Sequence, residues 1–474
     1  MESIQTGTTP KLKLNVKRTM LIGFAFFGIL LLWQVYDSWC PTFLTEIFKE
    51  ALHTENETEV QYLVGIVMAL DNLAALIMLP IFGRMSDKTK TPIGKRMPFI
   101  LLGTVVSAIA FPFIPVCFHY NNVGGVIALM AIVIFFMMMY RSPAVALMPD
   151  ITPKPLRSKA NGIINIMGYL GGAFATLAGI VFVLSDYLGT GDITWATGNI
   201  WAIEAPFLIA SVLMLVSALV LFFTIKENKL EKELRPEMEL GEKEAQSVDR
   251  VEEDRPLSKA NRQMLLLILA AEVFWFMADN AVGTYFGNYV IYYVHASSQS
   301  TMITTILMGV ASVIGFAAAG FIADKIGRKY TMLIGLGLAV VGYFIMCFTL
   351  EGHPAGEDEY AAFPWHLYLV YILKGLGMSL VNTCSFPMVV ELATGKKVGQ
   401  FTGYYYAASM GAQTVTPVIV GLVIYLVPDF GWRMLPIYAT VMMAVSIAIF
   451  AFVKNVRIHN VDTPKGLEAM GDLD

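Results

Sequence analysis

Residues 79–101 read LPIFGRMSDKTKTPIGKRMPFIL, and residues 320–329 read GFIADKIGRK. Each stretch starts at the end of a long apolar run and passes through a short charged turn into another apolar run. In both, a glycine stands four residues before an Asp-Lys pair. Apolar runs of about 20 residues can cross about 30 Å of hydrocarbon as a helix. The sequence therefore predicts two membrane hairpins that share one kind of turn.

Apolar runs of this length occur twelve times along the 474 residues. The chain is 56% hydrophobic and 15% charged, with a mean hydropathy of +0.62, which is far from the balance of soluble domains. We expect an all-α polytopic membrane protein with two pseudo-symmetric six-helix bundles. The expected parts are an N-terminal tail (1–18), a first bundle (19–225), a charged linker (226–262), a second bundle (263–453) and a C-terminal tail (454–474).

The distribution of basic residues predicts the orientation. With both termini in the cytoplasm, 29 of the 33 Lys and Arg residues fall in cytoplasmic segments and two fall outside. We therefore expect a multi-pass protein of a plasma membrane or bacterial inner membrane, with both termini cytoplasmic. The linker 226–262 mixes charges of both signs, cannot bury a core, and reads as a solvated connection that has room for an amphipathic helix.

Several function classes lose support from the sequence. The net charge of -4 gives no argument for a nucleic-acid partner. Phosphate-binding loops, H-E-x-x-H and G-x-S-x-G motifs are absent, and the four cysteines show no metal-ligand spacing. We expect neither an enzyme nor a cofactor or metal protein; the partners expected are a small molecule and the lipid bilayer, with the chain as a monomer.

Two more landmarks recur in the same order on both sides of the linker, as a duplicated fold predicts. One is a W-x-x-x-D motif in the first helix of each half, and the other is an acid twelve residues before a glycine. The positions are Trp33 to Asp37 with Trp275 to Asp279, and Asp150 to Gly162 with Glu391 to Gly403.

The charged turn resembles the loop signature of the major facilitator superfamily, G-x-x-x-D-[RK]-x-G-[RK]-[RK]. The longer first-half loop and the stretch ALMPDITPKPLRSKANGIINIMG from Ala146 look like the sucrose-transporter branch and the related glycoside–pentoside–hexuronide cation symporters. The resemblance covers nearly the whole chain and implies twelve helices, alternating access and sugar transport. One departure is that Val145 stands where that branch has an arginine, and Arg141 lies one helical turn earlier.

The charged turns and the acids after helices 4 and 10 are interpreted as a conformational latch. The glycine allows two helices to approach closely, and an acid near a helix end can pair with bases of neighbouring helices. The alternative is a purely structural turn. The residues are Gly83, Asp87, Arg96, Asp150, Arg157, Asp324, Arg328 and Glu391.

Six charged residues fall inside the apolar runs: Asp37, Asp71, Arg141, Glu272, Asp279 and Lys374. Each costs at least ~2.5 kcal/mol on insertion scales, so those that persist are usually paired and functional. Ion coupling is assigned to Asp37, Asp71, Asp279 and Lys374, with H⁺ favoured over Na⁺ as the coupling cation. The alternatives are a static Asp71–Arg141 pair and a structural ion pair of Lys374 with Glu272 or Asp279.

An indole beside a carboxylate suits a polyol, because the ring covers C–H groups and the carboxylate accepts hydroxyls. The competing interpretation is an interfacial tryptophan with a packing aspartate. The expected substrate residues are Trp33, Tyr36, Asp37, Arg141, Trp275, Asp279, Asn280, Tyr285, Asn382 and Gln413.

These features predict a secondary active transporter, and favour a proton-coupled symporter of a glycoside or oligosaccharide that works by alternating access. Three other readings stay open: an organic-anion or drug transporter of the same fold, a sodium-coupled symporter, and a non-transporting membrane sensor. The two bases Arg141 and Lys374 are the feature that would suit an anionic substrate.

Overall fold

The structure is a computed structural model that describes residues 12–188, 199–248, 259–354, 356, 359–392, 398–428 and 430–454. Within these ranges it contains twelve helices that are long and apolar enough to cross a membrane, and this confirms the predicted helix count. In chain order, helices 1 to 12 are Val16–Leu52, Glu57–Lys88, Met97–His119, Val123–Asp150, Lys159–Leu188, Trp201–Thr224, Lys259–Tyr293, Gln299–Ile326, Arg328–Met346, Trp365–Val390, Gln400–Leu426 and Gly431–Ala451.

The helices pack as two matched bundles of six. In the first half, helix 1 packs against helices 5 and 6, and helix 4 packs against helices 2 and 3. In the second half, helix 7 packs against helices 11 and 12, and helix 10 packs against helices 8 and 9. Each contact therefore recurs six helices later, which confirms the internal repeat that the sequence landmarks predicted.

The halves meet through helix 2 against helix 11, helix 5 against helix 8, and helix 1 against helix 7. The repeat relates the first two of these contacts to each other, because helix 2 corresponds to helix 8 and helix 5 to helix 11. The interface between the halves therefore has the same approximate twofold symmetry as the bundles.

The charged linker contributes a further helix, Glu227–Val248. Glu227, Leu234 and Gly241 are buried while most of the side chains between them are exposed, at the spacing of one helix face. A β-carbon built on Gly241 would lie 2.9 Å from the Pro153 side chain, in the turn between helices 4 and 5. The linker helix therefore lies against the first half.

Glu227 fixes the start of this helix. Its carboxylate accepts hydrogen bonds from the backbone N–H groups of Arg96 (3.0 Å) and Met97 (3.2 Å), which are free donors at the beginning of helix 3. Burial raises the pKa of the Glu227 carboxyl, and the hydrogen bonds from Arg96 and Met97 act in the opposite direction. One carboxylate thus joins the linker to the turn between helices 2 and 3.

We predict that Glu227→Ala releases the linker helix. Loss of a side chain that caps a helix costs about 1 kcal/mol, and here the change also leaves buried N–H groups without an acceptor. Limited trypsin digestion should cut within residues 226–262 faster than in the wild type. Glu231→Ala, an exposed position on the same helix, is the control and should leave the cleavage rate unchanged. Equal rates for both variants would contradict the assignment.

Candidate functional site

The charged residues of the first half lie on helices 1, 2 and 4. Asp37 is exposed although it stands in the middle of helix 1, and Asp71 on helix 2 is 9% exposed. The Asp71 carboxylate accepts a hydrogen bond from the side chain of Asn72 (2.9 Å) and interacts electrostatically with Asp37 and Arg141. The structure thus brings both predicted coupling acids of this half together with the predicted arginine.

Two of the three charged residues inside the membrane helices of the second half form a compact pair. The Lys374 ammonium of helix 10 lies 3.1 Å from the Asp279 carboxylate of helix 7, and the Tyr343 hydroxyl donates to the same carboxylate oxygen at 3.0 Å. The ring of Tyr371 lies 5.6 Å from the ammonium. Of the two partners considered for Lys374, the structure selects Asp279 and leaves Glu272 apart.

Aromatic and amide side chains beside these charges carry buried polar atoms with unused hydrogen-bonding capacity. Trp33 Nε1, the Tyr36 hydroxyl, Trp275 Nε1 and Asn280 Oδ1 have no hydrogen-bond partner within the described ranges. The rings of Trp33 and Tyr36 meet edge to face at 5.5 Å. Buried polar groups normally find partners, so these atoms keep hydrogen-bonding capacity that nothing in the described ranges uses, although Tyr36 and Trp275 are 0% exposed. The other two predicted amides, Asn382 and Gln413, are partly exposed on helices 10 and 11.

Tyr285 has a different place from the one expected of a substrate residue. It is fully buried, and its hydroxyl lies between the carbonyl oxygens of Pro417 (2.6 Å) and Gln61 (3.2 Å), where helix 11 crosses helix 2. A β-carbon built on Gly65 would collide with the Pro417 carbonyl, and one built on Gly421 with the Gln61 carbonyl. Tyr285 therefore joins the two halves where two glycines let their backbones meet.

Asn288 is a second junction between the halves. Its amide accepts from the Thr42 hydroxyl (2.8 Å) and donates to the Thr45 hydroxyl (2.9 Å), and it is fully buried. Further contacts join Tyr292 to Glu46, Trp432 to Glu57, and Ser185 to Ser298. All of these residues lie at the end of the bundle opposite the linker helix, which we call the closed end.

The predicted latch residues of the first half do meet. The Arg96 guanidinium, 5% exposed, contacts Asp87 and lies 2.9 Å from Asp150, which Lys95 also reaches at 3.1 Å. A β-carbon built on Gly83 would lie 2.9 Å from the Ser142 hydroxyl, in agreement with a close approach of helices 2 and 4.

The remaining latch residues have other positions. Arg157 donates to the carbonyl oxygens of Pro149 (2.8 Å) and Thr152 (3.1 Å) and so covers the end of helix 4. In the second half, Asp324 is exposed in the last turn of helix 8 and Arg328 is buried at the start of helix 9. The side chain of Glu391 lies outside the described part of the chain.

In the part of the chain that the structure describes, twelve spanning helices form two matched bundles with charges and unsatisfied polar groups at bilayer depth, and this architecture is that of a polytopic membrane transporter. The profile of the Major Facilitator Superfamily matches residues 22–350 and 268–470. The chain belongs to the Major Facilitator Superfamily and is a transporter, not an enzyme.

One curated relative is the isoprimeverose transporter of Lactiplantibacillus pentosus, 24% identical over 294 residues. The match covers 60% of this chain and spans 56% of the length of that relative. Among solved structures, a peptide transporter POT in complex with alafosfalin has a TM-score of 0.64 at 13% identity, and 92% of this chain and 95% of that chain are covered.

Two more solved structures have the same architecture. The nucleoside transporter NupG has a TM-score of 0.63 at 13% identity, covering 93% of this chain and all of its own. A bacterial homolog of the human lysosomal transporter Spinster, in an inward-facing and occupied conformation, has a TM-score of 0.65 at 11% identity. The match covers 94% of this chain and 97% of that chain. At these identities the likeness shows the fold.

We predict that Gly421→Ala weakens the closed end. The added methyl group meets the backbone of helix 2, which cannot move like a side-chain tip, and overpacking of this kind costs about 1–3 kcal/mol. The distance between spin labels at Leu52 and Phe430, exposed on opposite halves at this end, should lengthen. Gly411→Ala is the control on the same helix, since no atom lies within 4 Å of its built β-carbon. Unchanged distances in Gly421→Ala would contradict the crossing described here.

We also predict that Asp279→Asn lowers the free energy of unfolding of the purified protein by about 3 kcal/mol, because it leaves the buried Lys374 ammonium without its counter-ion. The double variant Asp279→Asn with Lys374→Met removes both charges and should recover most of that loss in a melting experiment. If the losses of stability caused by Asp279→Asn and by Lys374→Met alone simply add in the double variant, the ion pair is not what stabilises this region.

Proposed function

We propose that this transporter is a proton-coupled sugar symporter that works by alternating access. The observation that carries the proposal is the placement of the intramembrane charges. Asp37, Asp71 and Arg141 on the first half, with Asp279 and Lys374 on the second, lie on helices that meet or flank the interface between the halves. Acids and bases kept at bilayer depth mark substrate and proton routes.

The chemistry of the polar groups supports a sugar. Trp33, half-buried and one helical turn from Asp37, offers part of its ring beside a carboxylate acceptor, whereas the corresponding Trp275 is 0% exposed in this conformation. A polyol can use the ring and the carboxylate, since it donates and accepts hydrogen bonds and has C–H faces that pack on rings. The distant relative that transports isoprimeverose points the same way.

The bases are less suited to an anionic substrate than the sequence alone indicates. Lys374 is engaged by Asp279, and Arg141 interacts with Asp71. An anion would have to displace these carboxylates from their bases, whereas a neutral sugar leaves both interactions intact. These contacts support a neutral sugar over an organic anion as the proposed substrate.

The conformation fits one stage of an alternating-access cycle. The contacts of Tyr285 and Asn288 hold the halves together at the closed end. With both termini in the cytoplasm, as the basic residues predict, that end faces outside and the structure is inward-facing. The reverse stage requires these contacts to break, and neutralisation of an interfacial acid by a proton together with substrate binding would shift that equilibrium.

The test is substrate uptake into proteoliposomes. A pH gradient, acid outside, should drive accumulation of a sugar by the wild type, and Asp71→Asn should abolish accumulation while keeping exchange of labelled for unlabelled sugar. Asn cannot ionise, so the proton is no longer bound and released, but the side chain keeps its size and its polarity. Asp71→Glu is the control and should retain part of the accumulation. Accumulation by Asp71→Asn equal to that of the wild type would refute the coupling role.

A further inference from the structure

Glu272 on helix 7 differs from the other acids of the membrane helices. It is 0% exposed, and neither of its carboxylate oxygens has a hydrogen-bond partner within the described ranges. By contrast, the Asp279 carboxylate contacts Lys374, and Glu46 on helix 1 contacts Lys49 at 3.3 Å and accepts a hydrogen bond from Tyr292. Glu272 is therefore a buried acid without compensation.

The helices around Glu272 explain this isolation. Helix 7 packs against helices 1, 10, 11 and 12. Helix 11 carries no Asp, Glu, Lys, Arg or His, and the one such residue of helix 12, Arg433, lies near the closed end and donates to Tyr293. Lys374 of helix 10 is held by Asp279, and the Ser446 hydroxyl of helix 12 donates to the carbonyl oxygen of Ala271.

The other titratable groups on these neighbours make no hydrogen bond to Glu272 where their side chains are described. On helix 7 itself they are Lys259, Arg262, Tyr285, Tyr289, Tyr292 and Tyr293; on the packed helices they are Lys17, Arg18, Tyr36, Asp37, Cys40, Glu46, Lys49, Glu50, His366, Tyr368, Tyr371, Cys384, Tyr404, Tyr405, Tyr406, Tyr425 and Tyr438.

A carboxylate in such a place is strongly disfavoured, because it has lost its water and gained neither a cation nor a donor. The neutral acid loses far less on burial. We propose that Glu272 is a second proton-carrying site, in the second half, which holds a proton in this conformation and releases it when the transport cycle brings water to helix 7. The inference rests on the proposed proton coupling and adds a site to it.

The position of Glu272 along helix 7 indicates the end of the bundle at which its proton would be released. Glu272, Trp275 and Asp279 share one face of helix 7, and seven residues separate the two acids by about 10 Å along the axis. Glu272 lies on the side of the Asp279–Lys374 pair that is nearer the linker helix, away from the closed end. On release, the O–H bond of the acid breaks, the proton passes to water at the linker end, and the carboxylate stays behind.

The first experiment determines whether Glu272 holds a proton. Infrared difference spectra of the purified protein at neutral pH should show the carbonyl band of a protonated carboxylic acid, and Glu272→Gln should remove that band. Glu46→Gln is the spectroscopic control, because Glu46 is a paired acid and its replacement should leave the band in place. Glu272→Met, apolar and of similar size, covers the case in which the glutamine variant does not fold. A band whose intensity is the same in Glu272→Gln as in the wild type overturns the proposal.

The second experiment counts protons. Proteoliposomes that hold a pH-sensitive dye report how many protons enter with each labelled sugar molecule, and Glu272→Gln should lower that ratio while sugar exchange persists. An unchanged ratio would make Glu272 a permanently protonated structural acid and overturn its role in the cycle. A wild type that moves sugar without protons would refute the proposed symport itself, so the two failures are distinguishable.

Discussion

The constraint on which this structure depends is that a charge at bilayer depth must be paired, hydrated or neutralised. The second half meets it with the Asp279–Lys374 pair and the Tyr343 hydroxyl. The first half meets it with the interaction of Asp71 with Arg141 and with the exposure of Asp37. Any rearrangement of the halves has to keep these charges compensated, and this requirement is what can link transport to the binding of a cation.

The contacts between the halves are of a kind that can be broken and made again. At the crossing of helices 2 and 11, two glycines allow backbone contact, and one hydroxyl, that of Tyr285, lies between two carbonyl oxygens. Inside each half, by contrast, helices 1 and 7 are enclosed by the partners that the repeat assigns to them. The internal repeat relates the helix 2–11 contact to the helix 5–8 contact. One of these two interfaces can therefore loosen while the bundles rotate as rigid bodies, and neither bundle has to unfold. The linker helix, fixed to the first half through Glu227, moves with that half.

The sequence was sufficient to predict the fold. Membrane helices can be recognised by the length of their apolar runs, and the internal repeat by motifs that recur in the same order in both halves. The sequence also grouped Asp87, Arg96 and Asp150, since all three stand at helix ends that one turn can bring together. It could not place Tyr285 or reveal Asn288 as a junction, because a motif gives neither the rotation of a helix nor its crossing point. For the same reason Lys374 had two candidate partners on one helix until the structure separated them.

The two halves also share a charge composition that bears on the substrate. The first half contributes two acids and one base to its membrane interior, Asp37 and Asp71 with Arg141, and the second half contributes Glu272 and Asp279 with Lys374. Lys374 is paired with Asp279 and Arg141 acts electrostatically on Asp71, so Glu272 and Asp37 are the two carboxyl groups for which the described part of the chain shows no basic partner. A surplus carboxyl group can be neutralised by a proton, whereas an anionic substrate would add to the negative charge. The charge composition therefore agrees with the proposed neutral substrate that travels with protons, and it leaves one carboxyl group in each bundle at which a proton can bind.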